Sequence, residues 1–417
     1  MFKSKKIDKC DIQFENDRLV FYPGEKLRGK FILHMNRSMP MERIMVVCKG
    51  KTKTEWIVPY IDSETQEPKE REHKSKHKYF EKKKKIFGED DNEKRDQDAG
   101  EHEFDFEFQL PKDIHSSIQH ENGFIQYSVK VIIKKPWKKD LKLKKMFVVN
   151  QLHDANDQKY NFAPGEEDEK VLGCLCCASE PISLKAHINR SAFCPGDRIM
   201  VTAKCDNKSD RDMEELEVEL IQVLEFKAHN EDFGDSYRTL TNKVAEVESK
   251  KIKGGDELEW KDKLMDIPAL PLTTNSKFID VKYYVRVHLD IPMAIDMEFK
   301  LPITMCSVPF KPTYQDAPLE RQTRFKPKAP EGIGYSDMDY LNHPDMWPFQ
   351  FSQVKGDKPK KMNKKDDKEF ADDLYIPVYT FAFPVEGMDN PHPPSQPSGG
   401  GSATSVKTNS SEMPPIE

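Results

Sequence analysis

One stretch of this chain occurs twice, and a repeat of that kind limits the fold more than any local pattern does. The first copy runs Ile12 Gln13 Phe14, then Leu19 Val20 Phe21, then Tyr22 Pro23 Gly24 Glu25 and Leu27. The second runs Ile182 Ser183 Leu184, then Ala192 Phe193, then Cys194 Pro195 Gly196 Asp197 and Ile199. Each reads as a strand, a polar break, a short strand end and a Pro-Gly turn followed by an acid. Proline presets the first turn dihedral and glycine supplies the positive φ after it, so the pair ends a strand cleanly. A new apolar run follows each turn: Phe31 Ile32 Leu33 in one copy and Ile199 Met200 Val201 in the other.

Two further landmarks recur in the same order. The first is an acidic–aromatic strand ending near proline. It is Glu103 Phe104 Asp105 Phe106 Glu107 Phe108 with Leu110 Pro111 in one half, and Leu258 Glu259 Trp260 with Ile267 Pro268 and Leu270 Pro271 in the other. The second is a Tyr-x-Val-[Lys/Arg]-Val strand, Tyr127 Ser128 Val129 Lys130 Val131 in one half and Tyr283 Tyr284 Val285 Arg286 Val287 in the other. Both alternate apolar and polar residues at period 2, the signature of a half-buried antiparallel strand. No segment carries a long 3.6-residue period. The chain is predicted to be all-β, with two β-sandwiches in tandem.

Its 417 residues suffice for two such domains and a tail. The 66 basic and 72 acidic residues nearly cancel to a net charge of −6, without the basic domain of a nucleic-acid binder. No apolar run approaches the ~20 residues that span a bilayer. Met1 Phe2 Lys3 Ser4 Lys5 Lys6 lacks an apolar stretch after its lysines, which predicts a cytoplasmic protein with reduced thiols.

The first sandwich is expected over residues 7–152, interrupted by a charge-dense insert at 61–100. Most of that insert reads as solvated loop, with Tyr79 Phe80 and Ile86 Phe87 at a strand edge. Its basic core, Lys74 to Lys85, is either a solvated face or a contact for anionic lipid. Residues 153–180 form a polar connector whose Pro164 Gly165 break marks a hinge. The second sandwich covers 181–309, and 310–417 is a Pro-rich, low-complexity, largely disordered tail.

The run Gly100 Glu101 His102 Glu103 Phe104, with Phe108 Gln109 Leu110 Pro111, resembles the first-domain signature of arrestin domain-containing proteins, the α-arrestins. So does Gly123 Phe124 Ile125 Gln126 Tyr127 Ser128 Val129 Lys130, continuing into Pro136 Trp137 Lys138 and Lys145 Met146 Phe147 Val148 Val149. Cys174 Leu175 Cys176 Cys177, then Pro181 to Leu184, Asn189 Arg190 and Phe193 to Asp197 resemble the start of their second domain. The resemblance covers residues 7–309, and the 61–100 insert is longer than the family's. It implies two arrestin-type, immunoglobulin-like sandwiches packed end to end in an elongated body with concave faces. It also implies a non-enzymatic adaptor that binds cytoplasmic parts of membrane receptors or transporters and recruits HECT-class ubiquitin ligases. Endocytosis and endosomal sorting follow, with recruitment to the plasma membrane and endosomes.

In that family the ligase's WW domains dock on Pro-Pro-x-Tyr, a polyproline-II ligand. No such motif occurs in this tail. Two remnants remain: Ile376 Pro377 Val378 Tyr379, and the shorter Pro312, Tyr314 pair. The alternation of Tyr375, Pro377, Tyr379 and Phe381 also fits an edge strand or a docked tail segment. A ligase-free trafficking subunit of arrestin fold is therefore an alternative, as is a thiol-linked regulator of the thioredoxin-interacting type.

The motifs of nucleotide-binding loops, zinc proteases and serine hydrolases are absent. No cofactor or metal site is predicted. The 12 histidines are dispersed, with His73, His77, His115 and His120 expected in polar loops. Cys174, Cys176 and Cys177 form a thiol cluster too tightly spaced for the usual zinc pattern. With Cys194 and Cys205 they read as small apolar strand residues, an acylation site or exchange thiols. Lys134, Lys135, Lys138, Lys139, Lys142, Lys144 and Lys145 form the densest basic set of the folded region. It would face acidic cargo tails or phospholipid, giving peripheral membrane contact, or form the polar face of a hairpin.

Overall fold

The computed structural model describes residues 6–88, 95–137, 139–173, 178–310, 349–353 and 377–382, with the side chains of 349–353, 381 and 382 excepted. Among these residues there is no α-helix, and none long and apolar enough to cross a membrane.

The first sandwich holds β1 (Ile7–Phe14), β2 (Val20–Phe21), β3 (Lys26–Met35), β4 (Met39–Met41), β5 (Arg43–Ile61), β6 (Pro68–Phe87), β7 (Arg95–Gln97), β8 (Gly100–Gln109), β9 (Ile118–His120), β10 (Gly123–Lys134) and β11 (Leu141–Val149). One sheet has the order β1-β3-β8 and the other β2-β11-β10-β5-β6, with β9 on β10 and a small β4-β7 ribbon. The second sandwich holds β12 (Gly165–Lys170), β13 (Ile182–Ile188), β14 (Ala192–Phe193), β15 (Arg198–Asn207), β16 (Leu216–Asn230), β17 (Gly234–Glu248), β18 (Glu257–Asp266), β19 (Thr274–Asn275), β20 (Ile279–Leu289) and β21 (Met297–Met305). Its sheets run β12-β13-β15-β18 and β14-β21-β20-β16-β17, with β19 on β20. The two topologies match except for β12, which adds a strand to the second sandwich, and the β4–β7 ribbon of the first. In both, the two-residue strand before the Pro-Gly turn pairs parallel to the last long strand: Val20 and Phe21 on Val148 and Val149, Ala192 and Phe193 on Thr304 and Met305. The duplicated stretch is therefore a duplicated fold.

Alternation sets the core. In β3, Leu27, Phe31, Leu33 and Met35 are buried while Lys26, Arg28, Lys30 and His34 face solvent. The Tyr-x-Val strands behave alike, with Tyr127, Val129 and Val131 buried in one copy and Tyr283, Val285 and Val287 in the other. Each tyrosine fills the core and still satisfies its hydroxyl. Tyr127 donates to the His115 carbonyl at 2.6 Å, and Tyr283 to the Pro271 carbonyl at 2.7 Å. A buried phenol without such a partner would cost free energy. Around Phe147 stand Phe14, Phe21 and Tyr127, with ring centroids 6.0, 5.5 and 5.8 Å away.

Most of the insert at 61–100 is strand and not solvated loop, with 89–94 outside the described residues. Residues 68–87 of it form β6, which pairs with β5 from Ile61 and Pro68 to Ile44 and Phe87 as one hairpin. Its charges hid it: β6 is the edge of its sheet, where lysines are tolerated and guard against further pairing. Only His73, Ser75 and Phe80 along it are buried. Several lysines of the hairpin are paired, among them Lys74 with Glu55 at 2.6 Å and Lys83 with Glu81 at 3.0 Å. The turn at 62–67 is fastened by Asp62, whose carboxylate accepts from Lys69 at 2.6 Å and from the Thr65 amide at 2.9 Å. Those bonds, led by Lys69, pull its pKa down to about 2.

The connector is likewise not a hinge at Pro164 Gly165. Gly165 opens β12, which pairs with β13 along its whole length, and the Pro164 carbonyl accepts the Ile188 amide. Earlier in the connector Asp154 bridges to Val308, and the Ala155 amide donates to the Val308 carbonyl at 3.0 Å. Most of the described connector is thus laid on the second sandwich.

Replacing Phe147 with alanine removes the centre of the aromatic cluster. A destabilisation of about 3–5 kcal/mol is expected, read from the urea midpoint at unchanged m-value.

Candidate functional site

Three devices beyond the core involve named functional candidates. The first is the Pro-Gly corner. Gly24 and Gly196 have φ of 82° and 90°, in the left-handed region that the turn requires. Each donates its amide across to the other sheet, Gly24 to the Pro111 carbonyl at 3.0 Å and Gly196 to the Ile267 carbonyl at 2.9 Å. The acid after each glycine folds back. Glu25 accepts the Tyr22 amide and Arg18, both at 2.9 Å. Asp197 accepts the Cys194 amide at 2.8 Å and Arg190 at 3.0 Å. Each arginine lies over the aromatic ring three residues on, Arg18 4.8 Å from Phe21 and Arg190 4.6 Å from Phe193. The turn and the acid stand out in the sequence, whereas Arg190 is singled out there only through the family resemblance and Arg18 not at all. Their signal was present, because Arg18 and Arg190 stand at the same offset before their acids.

The second device joins the domains. The strands of the β5–β6 hairpin, 19 and 20 residues long, reach the second sandwich. Thr54 donates to the Lys227 carbonyl at 2.5 Å, and the Trp56 indole to the Ser236 hydroxyl at 3.2 Å. Ser75 accepts the His229 amide at 3.1 Å. Arg71 lies between the rings of Tyr60 and Phe233, 4.2 and 4.0 Å from their centroids. From the other side Arg238 donates to Asn122 at 2.9 Å. His73 and His77 belong to β6 and not to loops, and His120 stacks on Phe226 of the second sandwich at 4.8 Å. His115 sits 5.4 Å from Tyr79, and burial lowers its pKa.

The third device is a piece of the tail docked on the first sandwich. The end of β11 and the chain just after it are stapled to the loop before β9: the Ser117 hydroxyl accepts the Val149 amide at 2.9 Å, and the Ser116 hydroxyl the Gln151 amide at 2.9 Å. This leaves the Ser117 carbonyl and the Asn150 amide group to meet a further segment. That segment is β23 (Val378–Ala382), paired with β22 (Phe349–Gln353). Tyr379 donates its hydroxyl to the Ser117 carbonyl at 2.6 Å, and Asn150 donates to the Val378 carbonyl at 3.1 Å. Val378, Tyr379 and Thr380 are only 3%, 2% and 1% exposed. Of the two readings of this stretch, the structure displays the strand and docked segment. Pro377, Val378 and Tyr379 are buried, while Ile376, Pro312 and Tyr314 lie outside the described residues.

Cys174, Cys176 and Cys177 also lie outside the described residues. Cys194 and Cys205 are fully buried core thiols, as are Cys48 and Cys306. Burial pushes Cys48 and Cys205 up to about 12, and Cys194 and Cys306 well above the ordinary thiol. Glu215, Glu217 and Glu248 form the one metal-type grouping among the described residues, a partly exposed acidic cluster at one end of the β16–β17 pair.

Two predictions follow from this geometry. Asp197→Asn leaves Arg190 buried beside an uncharged partner and should cost about 3–5 kcal/mol. Glu25→Gln should cost less, because Glu25 is 22% exposed against 1% for Asp197. Chemical denaturation of the two variants checks the order. The thiolate is the reactive form, so at pH 8 Cys48, Cys194, Cys205 and Cys306 should resist iodoacetamide until the protein is unfolded, as read by mass spectrometry.

Residues 10–156 match the family model of the arrestin (or S-antigen) N-terminal domain, and residues 178–310 that of the C-terminal domain. Among curated relatives, arrestin domain-containing protein 17 of Caenorhabditis elegans is 25% identical over 73% of this chain and 71% of its own length. Human arrestin domain-containing protein 4 is 29% identical over 51% of this chain and half of its own length. Human thioredoxin-interacting protein is 22% identical over 74% of this chain and 76% of its own length. With both domain models matched in order over two sandwiches of like topology, the chain belongs to the arrestin family, as an α-arrestin.

Proposed function

We propose that this chain is a non-enzymatic adaptor working at the plasma membrane and endosomes. It binds cytoplasmic segments of membrane receptors or transporters and promotes their ubiquitin-linked endocytosis and endosomal sorting. HECT-class ligases engage its tail through their WW domains, at Pro377 and Tyr379. The observation that carries this reading is the docked tail: the end of the first sandwich holds an extended segment through a main-chain carbonyl, an asparagine and a tyrosine pocket. That is peptide recognition built into the fold. A second place for an extended ligand is the outer edge of β1. In the second sandwich the equivalent strand, β13, is covered by β12, whereas β1 pairs with β3 alone among the described residues. An added strand there would be held by β-augmentation.

The test is binding of a panel of WW domains to the isolated 311–417 tail and to the full chain. The tail is expected to bind in the micromolar range and to lose binding on Tyr379→Ala. The full chain is expected to bind more weakly than the tail, because docking buries Tyr379 and only the undocked fraction is competent. Asn150→Ala, which removes one docking bond, should move the full chain toward the tail. If no WW domain binds the tail, direct ligase recruitment is refuted, and the arrestin body is left with cargo binding.

The likeness to thioredoxin-interacting protein supports a second reading, thiol-linked regulation through Cys174, Cys176 and Cys177. Replacing the three together should abolish any such function and leave tail and cargo binding intact.

A further inference from the structure

β10 ends at Lys134 and β11 begins at Leu141, and of the turn between them Lys135, Pro136, Trp137, Lys139 and Asp140 are described. Trp137 at its tip is 102% exposed. Its φ of 57° lies in the left-handed region, an outlier for so bulky a residue. Burial is what normally accompanies tryptophan, and here the whole ring is presented to solvent. Lys134, Lys135, Lys139 and Lys142 surround it in sequence, against one carboxylate, Asp140. Lys139 and Lys142 are themselves exposed.

The second sandwich supplies an internal comparison. In its β20–β21 turn Pro292 Met293 stand where the first has Pro136 Trp137. Met293 has φ 56° and is 94% exposed, with Ile295 at 84%. The turn geometry and apolar tip are thus shared, but the collar is not. Asp290 and Asp296 flank this turn, and its carbonyls at Pro292 and Ile295 are bonded by Arg211 and Lys170.

We propose that the β10–β11 turn makes membrane contact, in which Trp137 enters the headgroup layer of a bilayer carrying anionic lipid and Lys135, Lys139 and Lys142 meet its phosphates. Tryptophan is suited to that layer, with an apolar body and one N–H donor, and lysines can lay their stems on it with the ammonium at the headgroups. Each basic residue near an anionic surface strengthens binding several-fold. An acidic peptide would satisfy the lysines alone and leave the ring without a partner, so the bilayer fits more of the turn. The turn supplies the membrane residence that the proposed adaptor needs. It rests on that reading for its purpose only, because the test contains neither cargo nor ligase.

The experiment is co-sedimentation of the full chain with vesicles of phosphatidylcholine, with and without phosphatidylserine. Binding is expected to the anionic vesicles only and to weaken as salt is raised. Trp137→Ala should lower it about tenfold, and Lys139→Ala with Lys142→Ala by about tenfold or more. Trp137→Phe should retain part of it, and Met293→Ala should leave it unchanged. These side chains are exposed, so thermal melts of the variants should match the wild type and exclude misfolding as the cause. Failure of the wild type to bind anionic vesicles overturns the proposal, as does binding that Trp137→Ala leaves untouched. Trp137-dependent capture of a soluble poly-glutamate peptide without vesicle binding overturns it in favour of an acidic protein partner.

Discussion

One carboxylate in each half, Glu25 and Asp197, holds the corner on which the sandwich closes. It accepts a backbone amide from its own turn and a guanidinium from seven residues before it. Hydrogen bonds to a charged group contribute about 1.5–3 kcal/mol each, more than a neutral pair. What they fix matters more than their sum. The turn sets β2 and β14 parallel to the last strands of their domains, while the glycine amide reaches to the end of β8 or β18. The two sheets of each sandwich are thereby tied at one point. The four-residue turn is the place where the chain passes from one sheet to the other.

That dependence explains what could be read from the sequence. Pro-Gly-acid and the Tyr-x-Val strands stood out because each has one physical solution, a positive φ at Gly24 and Gly196 and a phenol seated on a carbonyl twelve residues earlier. The alternation of β3 and β20 was legible because one face of each is buried, as is that of β10 from Val129 on. β6 was not legible for the opposite reason. An edge strand wet along most of its length needs no apolar period, and its partner β5 supplies the pairing. Tail docking was half legible. The alternation at 375–381 gave a strand, but its receptor is the Ser117 carbonyl and Asn150, groups that no pattern distinguishes from any other loop.

Polar and aromatic contacts clasp the domains beside a hydrophobic cluster that runs through both. Thr54, Trp56, Arg71, Ser75 and Arg238 make the clasp, and the hairpin that carries most of them spans roughly 60 Å if fully regular. A hairpin whose outer half packs on the other domain earns its order there. This is the reason a strand of such charged composition runs for 20 residues. The clasp also limits what the connector must do. With β12 bound to β13 and residues 154–155 on Val308, the described connector adds to the second sandwich, and the relative placement of the domains falls to the hairpin.

The ends of the two sandwiches are capped in parallel ways by unlike segments. Just beyond β21 the connector bridges at Asp154 and Val308; just beyond β11 the tail segment meets Asn150. The connector is adjacent in sequence to the domains it joins. The tail segment arrives after 67 residues from the last residue of the second sandwich's described chain, Phe310, to Val378. Ordering an extended segment costs roughly 1–2 kcal/mol of backbone entropy per residue. The buried residues Pro377, Val378, Tyr379 and Thr380 offset that cost with their burial and with the hydrogen bonds to Ser117 and Asn150. Docking is then a local equilibrium, separable from the global fold, of the sort that opens without unfolding a sandwich. Any ligand that takes Tyr379 draws on the open fraction, and any ligand that takes the Asn150 pocket displaces the tail. The two sites are coupled through one tyrosine, without any change in either sandwich.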